Sequence, residues 1–164
     1  MGFNFQGIVI NRLYTSVDSV IKDFNIPELE FVGESSFEES SSSAIGNTDV
    51  FVTTINNSSF CTFGSDLNIE DIEFKLSNDE NFKAMRFAIY ETPMAFAFEY
   101  FQGLESIRSK FIFPGQIAEE RGELLQIEKE ETDMTEIIFT LIGKVCGSDF
   151  WDINLDTKSM HYKF

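Results

Sequence analysis

The chain has 164 residues with 43% hydrophobic and 15% aromatic content, 19 phenylalanines among them, and a formal net charge of -16. So aromatic a chain is not a disordered acidic tail, and its length suits one α+β domain spanning residues 1–164. Only 12 Lys and Arg argue against nucleic acid or an anionic membrane as partner, because phosphate recognition needs clustered cations.

The N-terminus has no basic region followed by a long apolar run, and no stretch approaches the ~20 residues of a membrane span. A cytoplasmic location is therefore expected. Phe3 to Ile10 reads as a strand, with Phe3, Phe5 and Val9 on one face and Ile8 and Ile10 on the other. Val17, Val20, Ile21 and Phe24 fall at helical spacing, opened by Thr15 and Asp18 and closed by Asn25 and Pro27, so the pattern predicts a helix over about 15–24. Leu29 to Val32 reads as a short strand. The segment from Ser35 to Ser43 is the nearest approach to low complexity; it is either one helical turn opened by Ser36 and Glu39 or a mobile loop.

Asp49 to Ile55 and Ser59 to Phe63 alternate around a polar turn and predict a hairpin. Leu67 to Leu76 mixes both periods and leans to a strand over its second half. Lys83 to Phe113 holds three alternating runs separated by Thr92-Pro93 and Gln102-Gly103, the pattern of an antiparallel meander. Phe96, Phe98 and Tyr100 share a face there, and the opposite face, with Ala95 and Ala97, is small enough for close packing under a helix. Ile117 to Glu131 reads as a long acidic connection. Asp133 and Glu136 then cap a helix over about 133–146, with Met134, Ile137, Ile138, Leu141, Ile142 and Val145 on its face and Gly147 as its stop. Met160, Tyr162 and Phe164 alternate as a last edge strand. The expected architecture is a mainly antiparallel sheet of about five to seven strands, with the meander at its centre and both helices on one face.

Chemistry is sparsely signalled. The single histidine, His161, lies three residues from the end of the chain, and no G-x-S-x-G elbow or glycine-rich phosphate loop is present. Cys61 and Cys146 fit no metal or redox spacing and read as lone buried thiols. Asp66 to Asp71 is oxygen-rich but lacks the EF-hand pattern and reads as a solvated loop. No catalytic residue, metal site or cofactor is implied, and nothing sets an oligomeric state.

Charge and one tryptophan stand out. No basic residue occurs between Lys22 and Lys75, and Glu28, Glu30, Glu34, Glu38 and Glu39 form a first acidic patch. A second runs from Glu119 to Glu136, with Arg121 and Lys129 as its only cations. Both patches are either solvated faces or docking surfaces, where complementary charge speeds association and selects the partner. The candidate partner-binding residues are Glu119, Glu120, Glu123, Glu128, Glu130, Glu131 and Trp151; the last sits beside Phe150 in an acidic tail, where partial exposure would suit a binding hot spot.

The succession of a strand and helix, a serine/glutamate segment, a meander carrying FAIYETPMAFAFEYFQG, the ERGELLQIE connection and a closing helix before DFWDINLDTKSMHYKF resembles small acidic single-domain bacterial proteins of the immunity, or toxin-neutralising, type. That resemblance implies a cytoplasmic, non-enzymatic inhibitor that presents an acidic face to a basic protein such as a toxin domain. The other reading is a ligand-binding or enzymatic α+β domain whose sheet forms an aromatic-lined pocket.

Overall fold

The computed structural model describes residues 2–164. Nine strands form one antiparallel sheet: β1 (Asn4–Ile10), β2 (Glu30–Ser36), β3 (Asp49–Ile55), β4 (Ser58–Phe63), β5 (Lys83–Tyr90), β6 (Ala95–Gln102), β7 (Glu105–Ile112), β8 (Glu119–Arg121) and β9 (Lys158–Lys163), in the order β2-β9-β3-β4-β1-β5-β6-β7-β8. Four helices accompany it: α1 (Val17–Phe24), α2 (Phe37–Ser40), α3 (Gln126–Glu130) and α4 (Met134–Cys146). The α+β class and the β5-β6-β7 meander agree with the sequence, but the strand count exceeds the expected five to seven.

The two long helices do not share a face. Strand β1 is buried on both sides, and its alternation divides the molecule. Phe5 and Val9 join Phe87, Phe98 and Tyr100 beneath α4, whereas Ile8 joins Ala88, Ala97, Cys61 and Phe63 on the side that takes Val20 and Phe24 of α1. The aromatic stripe of the meander is thus the face that α4 covers. The alanine face packs with Ile69 and Ile72, and the expected strand near them is a 3-10 turn (Ile69–Asp71) followed by irregular backbone.

Local signals explain the helix ends. The cap of α1 is Ser16 rather than Thr15: its side chain accepts from the Ser19 N–H, and Asn25 closes the helix in the left-handed region. Helix α4 is capped by Asp133, which accepts from the Thr135 and Glu136 N–H groups, and ends at Gly147 with φ +70°. Its last carbonyls are met from outside, because Asn56 Nδ2 donates to Cys146 O at 2.9 Å and Ser58 Oγ to Val145 O at 3.1 Å. The serine/glutamate segment takes the helical alternative: Ser36 and Glu39 form a reciprocal capping box, and Phe37 is buried.

The C-terminal strand corrects the edge assignment, since β9 lies between β2 and β3. Only β2 and β8 are edges, and every other strand, β9 and β7 included, has a neighbour on both sides. In hydrogen exchange, the slowest amides are expected in β1, β5 and β6, and exchange near the rate of a free chain in β8. The meander is expected at the centre of the sheet, but β1 holds that place and β5-β6-β7 lie between it and the β8 edge; fast exchange throughout Lys83–Gln102 would overturn the pairing of β5 with β6.

Candidate functional site

The second acidic patch is organised by a cation that sequence reasoning passed over. Arg108 projects from β7 and is only 2% exposed. Its Nε donates to Glu128 Oε2 at 2.9 Å and its Nη2 to Glu128 Oε1 at 2.7 Å, a bidentate pair, while Nη2 also reaches Glu120 Oε2 at 2.7 Å. Nη1 donates to the carbonyls of Gly122, at 3.1 Å, and Arg121, at 3.4 Å. Gly122 is required at this turn: it has φ +82°, and a Cβ there would lie 2.1 Å from the Ile107 carbonyl oxygen. Bonding to Glu128 raises the guanidinium's already high pKa against the opposing effect of burial, and bonding to Arg108 holds the Glu120 carboxyl below its usual range.

This network redistributes the candidate residues. The Glu128 side chain is 2% exposed and faces inward, where it also accepts from the Leu125 N–H at 2.9 Å and so begins α3. Glu120 is half-exposed but engaged with Arg108 and Lys110. Glu119, Glu123 and Glu130 are exposed, with Glu130 accepting from Gln126 Nε2. Glu131 is half-buried, and its Oε1 accepts from the Thr132 and Asp133 N–H groups just ahead of α4.

Trp151 is 57% exposed and sits in a 3-10 turn (Phe150–Asp152) opened by Asp149. Its indole N–H donates to Glu136 Oε2 at 3.2 Å, which ties it to the C-terminal half of the second patch. Its ring meets Phe3, Phe139 and Phe150 edge-on with centroids 5.9, 5.2 and 5.7 Å away. A fixed, half-open indole therefore sits against Glu136, in a turn whose own segment carries Asp149 and Asp152. The sequence signalled each half of this surface but not that they meet.

On the opposite face the pleat places Arg86, Glu99, Ser109 and Arg121 in one cross-strand row and Ala88, Ala97, Phe111 and Glu119 in the next. The first row, with Phe111 and Glu119 of the second, floors an open cleft of about 870 Å³ beneath the segment carrying Phe113 and the almost wholly exposed Ile117. Arg86 Nε lies 3.1 Å from Glu99 Oε2, and the guanidinium rests over the Phe74 and Phe101 rings.

The remaining candidate groups are engaged within the fold. His161 Nε2 lies 2.9 Å from Asp49 Oδ1 and its ring stacks on Phe51 at 4.4 Å. Burial pushes the Asp49 carboxyl up, but hydrogen bonds from His161 and the Gly46 N–H outweigh it and hold the group below its usual range. Cys61 and Cys146 are free and buried; burial raises both thiols, Cys146 to about 12, well away from thiolate chemistry at neutral pH. In the Asp66 to Asp71 stretch, Asn68 accepts from the Glu70 N–H and donates to Asp71. No helix among the described residues is long and apolar enough to cross a membrane. Comparison with protein-family models, curated proteins and solved structures finds no match.

Proposed function

We propose that this chain is a non-enzymatic protein-binding domain that presents an acidic face to a basic protein, its most specific form being an immunity-type inhibitor of a toxin domain. The observation that carries this reading is the rigid, half-exposed Trp151 hydrogen-bonded to Glu136. An indole held by three phenylalanines loses little side-chain freedom on binding, which suits an anchor, and a carboxylate rim supplies sign-selective steering. Glu123, Glu130 and Glu131 extend the negative surface along the chain, whereas Glu119 turns to the opposite face and lines the cleft. Glu128 belongs to the Arg108 network and not to the docking face.

Anchor and rim separate kinetically. With a basic partner identified from the neighbouring gene or by pull-down, reversing Glu123, Glu130 and Glu131 to lysine is expected to slow association strongly at low salt and much less at high salt. Trp151→Ala should instead speed dissociation, at a cost of about 2 kcal/mol. Surface plasmon resonance at two salt concentrations reads both, and binding that survives both sets of changes removes the basis of the proposal.

A second reading is favoured by the cleft, whose paired Arg86 and Glu99 and aromatic Phe111 and Phe113 suit a small ligand bearing both polar and apolar groups. Amide shifts confined to β5, β6 and β7 on screening small polar aromatics would support it over the first.

A further inference from the structure

The two edges of the sheet are unlike each other. Strand β8 is three residues long, and Arg108 fastens both its Glu120 carboxylate and its Arg121 carbonyl. Strand β2 is seven residues long, pairs with β9 alone, and carries Phe31 and Val32 exposed by 57% and 51%. A long edge with apolar side chains in water is a template for another strand, and folds ordinarily protect such edges with lysine or proline. Between Glu30 and Ser36 there is neither. The protection consists of a bulge between Phe31 and Gly33 and two carboxylates, Glu30 and Glu34.

Those carboxylates determine which strand the edge accepts. A second copy docking edge to edge would set Glu30 and Glu34 against its own carboxylates, and like charges across a strand pair are destabilising. Glu28, Glu38 and Glu39 add to the same sign at the two ends of the strand. The cations behind β2 are Lys158, bridged to Glu34, and Lys163, which lies opposite Glu30; both lysines are well exposed, and exposed pairs exchange partners at little cost. On one face the row behind the bulge runs from Gly33 to His161 to Phe51, and a side chain at Gly33 would find open space. An incoming side chain can therefore lie over Gly33 toward the His161 and Asp49 pair.

We infer that β2 is a docking edge for an extended, lysine- or arginine-bearing strand of a partner protein, which extends the sheet by backbone pairing and is selected by Glu30 and Glu34. The inference rests on the proposed function only for the sign of the partner's charge. It uses a different surface from Trp151, so the two fail separately.

The bulge puts Glu30 and Glu34 on opposite faces of β2, so the test uses the full chain, labelled with nitrogen-15, and an acetylated, amidated seven-residue peptide with two adjacent lysines at each end and valines between, titrated to millimolar concentration. The expected result is amide shifts and slowed exchange centred on Glu30–Ser36. A glutamate-for-lysine peptide should bind about tenfold more weakly, as should the lysine peptide to the Glu30→Lys/Glu34→Lys double variant, because opposed charges become like charges. Methylating alternate backbone nitrogens of the peptide, which keeps its charge but removes ladder donors, should abolish binding. Shifts absent from β2, shifts centred on Trp151, or undiminished binding of the methylated peptide would overturn the inference. So would a concentration-dependent dimer that protects β2 without peptide, since that would make the occupant a second copy.

Discussion

Replacing Arg108 by methionine is expected to destabilise the protein by about 3 to 5 kcal/mol, because it strands a buried carboxylate. Both Arg108 and the Glu128 side chain are 2% exposed, and every nitrogen of the guanidinium has an acceptor. Without Arg108, Glu128 must take up a proton or drag α3 and its connection away from the sheet. Replacing both residues, as Arg108→Met with Glu128→Leu, should recover much of the loss, since an apolar pair in a buried ion pair's place is often neutral. Arg108→Lys should fall between, because an ammonium keeps the charge but cannot grip both carboxylate oxygens in a plane. Acid works in the same direction. The folded Glu120 carboxyl sits below its ordinary pKa, so its contribution is full above the unfolded value and is lost as pH falls through the folded one; half-exposed, it adds little. Urea unfolding of the three variants at neutral pH decides the matter, and a single-variant loss below about 1 kcal/mol would show that the pair is hydrated in solution.

Why Arg108 went unread follows from what a sequence displays. Elements dictated by short-range periodicity were legible: Met85, Phe87 and Ile89 against Phe96, Phe98 and Tyr100 gave the meander, and Asp133 and Gly147 marked both ends of α4. Strand β8 has only Glu119, Glu120 and Arg121, all polar, and pairs with β7 in a register that Arg108 and Lys110 secure from a distance. Helix α3 has no residue buried as a whole and is anchored by the inward Glu128 side chain. Neither element has a pattern of its own, because the interactions that hold them are non-local. The placement of the helices was different. Strand β1 displayed apolar residues on both phases, Phe5 and Val9 against Ile8 and Ile10, and a strand buried on both sides requires cover on both. That signal was present and pointed to helices on opposite faces. The insertion of β9 between β2 and β3 had no such signal, since alternation fixes which residues face inward and says nothing of the neighbouring strand.

Phe139→Ala is expected to cost about 3 to 5 kcal/mol and to release Trp151 from its platform. The heptad-like face of α4 omitted Phe139, yet the residue is buried: it stacks on Phe150 with centroids 3.8 Å apart and planes 10° from parallel, and meets Phe3 and Trp151 edge-on at 4.9 and 5.2 Å. Truncation leaves a cavity bounded by those three rings, and the backbone around it is held by β1 on one side and α4 on the other, so collapse is limited. The indole would then keep only its hydrogen bond to Glu136 and its contacts to Phe3 and Phe150. Its fluorescence should shift toward that of a fully hydrated tryptophan before global unfolding begins, a readout that no other residue can contribute because Trp151 is the only tryptophan. Trp151→Ala should behave oppositely, with a smaller loss of stability because more than half of the side chain already lies in water. Thr140→Ala, on the exposed side of the same helix, should change stability by less than about 0.5 kcal/mol and serves as the control. If Phe139→Ala costs less than about 1 kcal/mol, or leaves the Trp151 emission unchanged, the indole is not held by the stack. In that case the exposed tryptophan is a mobile side chain, and its suitability as a pre-ordered anchor for a basic partner goes with it.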